Sequence, residues 1–238
     1  LGSPRILKDG EFVAFPFKQA EAILYYLLVE REAPRNKIAD LIWGNNVGDQ
    51  KVKSNMRNAI YVLRKLLWTD FLIEPRKNIL QINPEIDVQL DLEQLNGDSA
   101  EITNIYAGEF LQDFYLKENE YYNEWILNTR QELQQIYIDH LKQSIARRFE
   151  SQDWSQCEAQ AKQLISLDEY DETGYYYLME IYRIRGEYHK AIALYDRLKQ
   201  LLAEDLFQFP GERISQLTEL VKQERSQKLI KASTSTQA

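Results

Sequence analysis

The sequence predicts a mainly α-helical protein in two parts. An N-terminal winged helix-turn-helix with small β-hairpins comes first, and an all-α array of helical repeats follows. Three observations predict this. Up to about residue 67, apolar residues recur at helical spacing in three stretches, and two short strand-like runs joined by a basic turn follow. After about residue 87 only helical patterns remain. Within those patterns, side-chain sizes recur with an offset of 34 residues.

In the first part, Ile6-Leu7 and Phe12-Val13 flank the turn signal Asp9-Gly10, which predicts a hairpin over Pro4 to Val13. Ala20, Ile23, Leu24, Leu27 and Leu28 form one apolar stripe, so Lys18 to Glu30 reads as a helix. Pro34 suits the first turn of a second helix, which buries Ile38, Leu41 and Ile42 and stops at Gly44. A third helix is expected from near Asp49 to about Leu67, with Val52, Met56, Ala59, Ile60, Leu63, Leu66 and Leu67 inward. Phe71 to Ile73 and Ile79 to Ile82 read as the strands of a wing, joined by Glu74-Pro75-Arg76-Lys77-Asn78.

Helical patterns then span Gln94 to Ala107, Tyr121 to Phe149, Trp154 to Ser166, Glu172 to Arg185, Tyr188 to Leu202, and Gly211 to Lys222 or beyond. Aligning Gln152 with Gly186 pairs Trp154 with Tyr188, Cys157 with Ala191, Ala161 with Tyr195, and Leu164 with Leu198. Tyr175, Leu178, Tyr182, Gly186, Tyr188, Ala191 and Tyr195 fall at the large and small positions of a tetratricopeptide-like repeat. Gly186 permits the tight turn, and Ala191 lets paired helices approach. A generic helical bundle is the plainer alternative. The expected division is 1–86 for the winged helix, 87–228 for the helical domain, and 229–238 for a disordered tail or linker stub.

Composition narrows the chemistry. Hydrophobic residues make up 44% of 238, enough for a packed core. One Cys excludes an internal disulfide and fits a reducing, cytoplasmic setting. No apolar run is long enough for a membrane span, and the opening LGSPRILKDG does not read as a signal peptide. His140 and His189 have no ligand-spaced partner, Cys157 reads as packing, and Asp168, Glu169, Asp171 and Glu172 form a run rather than a catalytic pair. No phosphate-cradling or nucleophile motif occurs. No enzyme, catalytic residue, metal or cofactor is expected.

Charge supplies the functional clue. Residues 1–95 hold thirteen basic and thirteen acidic side chains, whereas the rest holds sixteen basic and twenty-four acidic. Yet Lys51 to Leu67 carries five basic side chains, and no acid occurs from Val52 to Thr69. Such a helix inside an acidic protein suits a polyanion. Lys53, Arg57, Asn58 and Tyr61 are the candidates for base contact. Lys51, Arg64, Lys65, Arg76 and Lys77 are the candidates for phosphate contact. An ordinary solvated face is the alternative for the helix, and a solvated turn for Arg76-Lys77. Trp43 and Trp68 read as packing residues.

In order, Arg5-Ile6, Asp9-Gly10, Ile38 to Trp43, Val62 to Leu67 and Asp87-Val88 resemble bacterial regulators that join an OmpR-like winged helix to a bacterial transcriptional activator domain, as in the Streptomyces antibiotic regulatory proteins. Tyr106 to Leu111 with Asp113-Phe114, then Trp125, Arg130, Leu133 and Tyr137, resemble that second domain. The likeness covers nearly all of residues 1–222. Gln112 stands where proline is usual, and Asn78-Ile79 where the wing usually ends in glycine-tyrosine. The resemblance implies a sequence-specific, DNA-binding transcriptional regulator, an activator. Its expected partners are double-stranded DNA, RNA polymerase, a second copy of the chain on DNA, and a sensor or ATPase domain in a longer chain, with no membrane. The competing reading is a helical-repeat protein–protein adaptor whose winged helix does not bind DNA.

Overall fold

The computed structural model describes residues 1–44, 50–95, 106 and 108–235, with only the backbone of residues 94 and 231–235. The described residues up to Gln134 form one compact unit, and those from Gln135 onward form a second.

In the first unit, β1 (Leu7–Lys8) and β2 (Glu11–Phe12) make the expected hairpin, with Leu7 opposite Phe12. Asp9 and Gly10 both take positive φ, 53° and 84°, whose twist suits a two-residue connection. α1 (Lys18–Glu30) is buried on more sides than its apolar stripe suggests, because Ala22, Tyr25 and Tyr26 are buried as well. Residues well beyond 86 cover that extra surface. Phe114 meets Tyr25 edge-on at 5.0 Å, Trp125 meets Tyr26 at 5.1 Å, and the buried Tyr122 hydroxyl donates to Ala22 O at 3.0 Å. The core of the winged helix therefore continues past residue 86 into Phe110, Leu111, Phe114, Leu116, Tyr122 and Ile126.

β3 (Glu32–Pro34) was not foreseen, since three residues are too few to show alternation. It pairs antiparallel with β5 (Ile79–Ile82), and β4 (Leu72–Ile73) pairs on the other side, so the sheet order is β3-β5-β4. Pro34 corrects another expectation. It ends β3 in an extended conformation (ψ 135°), and α2 (Arg35–Trp43) begins one residue later. The Arg35 N–H donates to Asn78 O at 2.8 Å, tying that helix start to the wing turn. α2 stops at Gly44 (φ 74°), and the Asn119 amide donates to Leu41 O and Ile42 O at 3.0 and 2.7 Å, covering carbonyls the helix leaves open. α3 (Gln50–Leu66) buries Val52, Met56, Ala59, Ile60 and Leu63. Its expected start at Asp49 lies outside the described residues. So does most of the helix expected over Gln94 to Ala107: the structure has the short α4 (Asp91–Leu95), and Tyr106 is not helical.

α5 (Glu120–Glu150) contributes its later turns to the second unit. α6 (Trp154–Leu167), α7 (Glu172–Ile184), α8 (Tyr188–Asp205) and α9 (Glu212–Ser235) complete it. The offset of 34 is visible in the backbone. Gln152 (φ 60°) and Gly186 (φ 72°) make the same left-handed turn, and Cys157 and Ala191 are both fully buried five residues later. Burial pushes the Cys157 thiol up to about 11, and it donates to Ile145 O, as a packing residue does. Gly174 sets the α6–α7 approach, because a Cβ there would stand 2.8 Å from Ile165 Cγ1 and 3.0 Å from Ala161 O. Asp153 and Asp171 accept from the first-turn N–H groups of α6 and α7. α9 runs on to Ser235, so most of the segment expected as a tail is helical; residues 236–238 lie outside the described residues.

Candidate nucleic-acid interface

α3 is the third helix of the winged helix-turn-helix, the position from which such folds enter a major groove. Its 3.6-residue period sends Val52, Met56, Ala59, Ile60 and Leu63 into the core. The opposite arc carries Ser54, Arg57, Asn58, Tyr61 and Lys65, all exposed. Tyr61 is 62% exposed, unusual for so large an aromatic with no packing role visible. Lys53 is exposed at the edge of the arc, and Lys51 is exposed in the first turn. Among the described residues, Lys53, Arg57 and Lys65 have no ion-pair partner. An elongated cationic face with hydrogen-bonding tips is therefore open to solvent. A guanidinium at its centre can grip guanine O6 and N7 with two bonds, and the flanking ammonium groups can meet phosphates.

Arg64 stands apart from this set. It is half-buried, and its Nε and Nη2 both donate to Leu72 O, at 3.2 and 2.7 Å. The side chain ties the end of α3 to the first strand of the wing. Lys8 acts nearby: its ammonium donates to Leu67 O and lies 5.0 Å from the centre of the Trp68 ring. Trp68 in turn packs on Phe71, with ring centres 6.2 Å apart, which agrees with its reading as a packing residue. Trp43 is partly buried against the same core.

The wing turn is less cationic than its sequence suggests. Arg76 pairs with Glu32 of β3, and Arg35 pairs with Glu74 at 2.6 Å. Sequence reasoning missed both clamps because it missed β3, which brings Glu32 opposite Gln81. Arg76 is nevertheless 67% exposed in its side chain, and Lys77 is exposed with no ion-pair partner among the described residues. Asn78 takes φ 65° in this turn, a conformation Asn tolerates better than most side chains. Ser54 and Asn55 are further exposed groups on α3 that the sequence reading did not single out.

Lys18 lies 4.6 Å from the Tyr115 ring centre and donates to Tyr115 O at 3.3 Å, so it serves packing. Among the described residues no group of three or more His, Cys, Asp or Glu side chains could hold a metal ion, and no described helix is long and apolar enough to cross a membrane.

Residues 100–222 match the family described as the bacterial transcriptional activator domain. In fold, the chain resembles Mycobacterium tuberculosis EmbR, solved in complex with a low affinity phosphopeptide, with a TM-score of 0.73 over 99% of this chain and 69% of that chain. The two are 17% identical, so this likeness is one of fold. No curated protein sequence matches the chain.

Proposed function

This chain belongs to the family of the bacterial transcriptional activator domain, a family of transcriptional regulators, and we propose that it works by reading double-stranded promoter DNA with α3. The observation that carries this reading is the open cationic arc of Lys53, Arg57 and Lys65, which no acid neutralises among the described residues. Arg57, Lys53, Asn58 and Tyr61 face base edges; Lys51 and Lys65 face phosphates; Arg76 and Lys77 reach the backbone from the wing. Arg64 contributes its charge from the base of the wing while its two bonds to Leu72 O hold α3 in place. An exposed ion pair such as Arg76–Glu32 contributes roughly 0.2–1 kcal/mol, so a phosphate can displace Glu32 easily. In this scheme the winged helix within residues 1–86 reads DNA, and the acidic helical unit from Gln135 onward turns to protein partners in the cytoplasm, RNA polymerase among them, because its net charge repels phosphates. A second copy bound alongside on the promoter would set the half-site spacing.

Random-site selection with the purified protein, then titrations at several salt concentrations, tests the scheme. Arg57→Ala is expected to lose about 1–3 kcal/mol of discrimination between selected and scrambled sites. Lys65→Ala is expected to weaken both sites alike and to lower the logarithmic salt slope by about one. Equal loss on both sites for Arg57→Ala would remove the base-reading role. The adaptor reading keeps one observation in its favour, the acids Glu32 and Glu74 that interrupt the positive surface at the wing. It predicts no enriched sequence in the selection.

A further inference from the structure

The second unit presents an aromatic edge that its own core does not use. Between α8 and α9 the chain reads Leu206-Phe207-Gln208-Phe209-Pro210. Phe207 is 90% exposed and Phe209 77%, and Leu206 is exposed beside them. Large apolar side chains clustered on a surface mark an interaction site more often than scattered ones do. Phe207 also takes φ 54°, a left-handed conformation costly for a bulky residue. Nothing in the packing rewards that strain, since the ring it positions points into solvent.

The edge is held in one shape rather than left to fluctuate. The Gln208 N–H donates to Leu202 O at 3.0 Å, and the Gly211 N–H donates to Glu172 Oε1 at 2.8 Å. The Tyr170 hydroxyl, from the α6–α7 connection, donates to Asp205 at 3.1 Å. Two inter-helix connections are thereby fixed side by side, and Tyr170 adds a third exposed ring. A preformed edge loses little entropy when a partner seats on it.

Charge selects the partner. Glu204 and Asp205 precede the aromatic run, Glu212 follows it, and Glu169 flanks Tyr170, all exposed. Arg197 is the one cation among the described residues that line the depression beside Tyr170, and Arg213 is stacked 3.7 Å from the Tyr176 ring centre. We propose that this acidic-aromatic edge docks a protein surface bearing an apolar cleft, with Lys or Arg at its rim, into which Phe207 and Phe209 insert. DNA and anionic lipid are poor occupants, because the rim acids repel phosphate. The proposal deepens the reading above: it rests on a helical domain that meets protein while α3 meets DNA, and it assigns the place of that meeting.

The test uses the full chain, a selected promoter fragment and purified bacterial RNA polymerase holoenzyme as the probe. The double variant Phe207→Ala/Phe209→Ala removes both rings from positions that bury little surface. Its melting temperature and its promoter affinity are expected to match the wild type, while promoter-dependent transcription falls at least about tenfold, as loss of two aromatic anchors should cause. Glu204→Lys, which reverses one rim charge without touching the rings, is expected to lower transcription several-fold and to make the remainder less sensitive to salt. Wild-type levels of transcription from both variants would overturn the proposal while leaving DNA reading intact. A wild-type protein that binds its promoter and does not raise transcription would overturn the docking proposal alone, whereas one that selects no promoter sequence would overturn the DNA reading. If the double variant turns a sedimenting dimer into a monomer, the edge joins two copies of the chain, and the proposed partner is wrong.

Discussion

The helical unit and α3 of the first unit use the same cations in opposite ways. In the helical unit, Arg183 bridges Glu180 and Glu224 at 2.8 Å each, Lys162 and Arg185 share Glu158, Arg148 holds Asp153, and Lys190 and Lys222 each reach an acid one turn away. On α3, Lys53, Arg57 and Lys65 have no such partner among the described residues. The numbers of basic residues in the two halves differ little; the spacing of acids differs greatly. Helical neighbours lie three or four positions apart, and for Arg57 and Lys65 no acid stands at any of those positions, since none occurs from Val52 to Thr69. A cation is available to a polyanion when the chain withholds its local partner.

Changes that separate packing from charge break this comparison most strongly. Tyr122→Ala removes a fully buried ring and its hydrogen bond to Ala22 O, and is expected to cost about 3–5 kcal/mol. Hydrogen exchange should show the loss in α1 more than in α7, because Tyr122 packs with the first unit despite its position in the chain. A larger loss in α7 would return residues 108–134 to the helical repeats. Arg64→Ala comes next. It leaves Leu72 O without its charged donor and is expected to cost about 1.5–3 kcal/mol of stability, read by urea unfolding. Arg57→Ala, on the same helix, should change stability by less than about 0.5 kcal/mol, as exposed sites do. If both variants unfold at the same urea concentration, the distinction between an anchored and an open arginine fails.

Much of this was legible from residues alone, and the misses share a cause. Amphipathic spacing located α1, α3 and α6 to α8, because each helix has one side that must leave water. The Asp9-Gly10 turn located the first hairpin, since its chemistry is local. The basic arc on α3 was legible because both its charge and its period lie within one element. β3 was not legible: three residues carry no periodicity, and their strand character comes from β5, more than forty residues away. The acids facing Arg76 and Arg35 were hidden for the same reason. Nor could spacing show that Tyr122 and Trp125 cover α1, although Ala22, Tyr25 and Tyr26 widened its apolar face enough to hint at a second cover.

The repeat supports a smaller effect, confined to the helical unit. Gln152 and Gly186 occupy equivalent left-handed turns, but only one is glycine. Gln152→Gly should relieve the side chain's clash in that conformation and raise stability by about 1 kcal/mol, and Gly186→Ala should lower it by a similar amount. Opposite shifts in thermal midpoint would support the equivalence. A Gln152→Gly variant that melts lower than the wild type would mean the turn is held by contacts of the glutamine itself.

The smallest expected effect is a difference in acid sensitivity. In the helical unit, the Lys162 hydrogen bond holds the Glu158 carboxyl below its ordinary 4.5, against burial and with help from Arg185. Burial pushes Asp171 upward, but hydrogen bonds from Lys142 and Thr173 together outweigh it and leave it below 3.8. A depressed carboxyl stabilises the fold fully above its unfolded value, and that contribution disappears as pH falls through the folded one. Glu21 on α1 behaves oppositely. Burial holds it above 4.5, against the Tyr25 hydrogen bond and Lys18, so its contribution is complete below 4.5 and is lost as pH rises through the folded value. Acid should therefore weaken α6 and α7 while Glu21 favours α1. Opening free energies from hydrogen exchange, read separately for α1 and α7 at about pH 6 and about pH 3.5, should diverge in that sense. Parallel changes in both helices would mean that the unpaired acids of the whole chain, rather than these three carboxyls, set its response to pH.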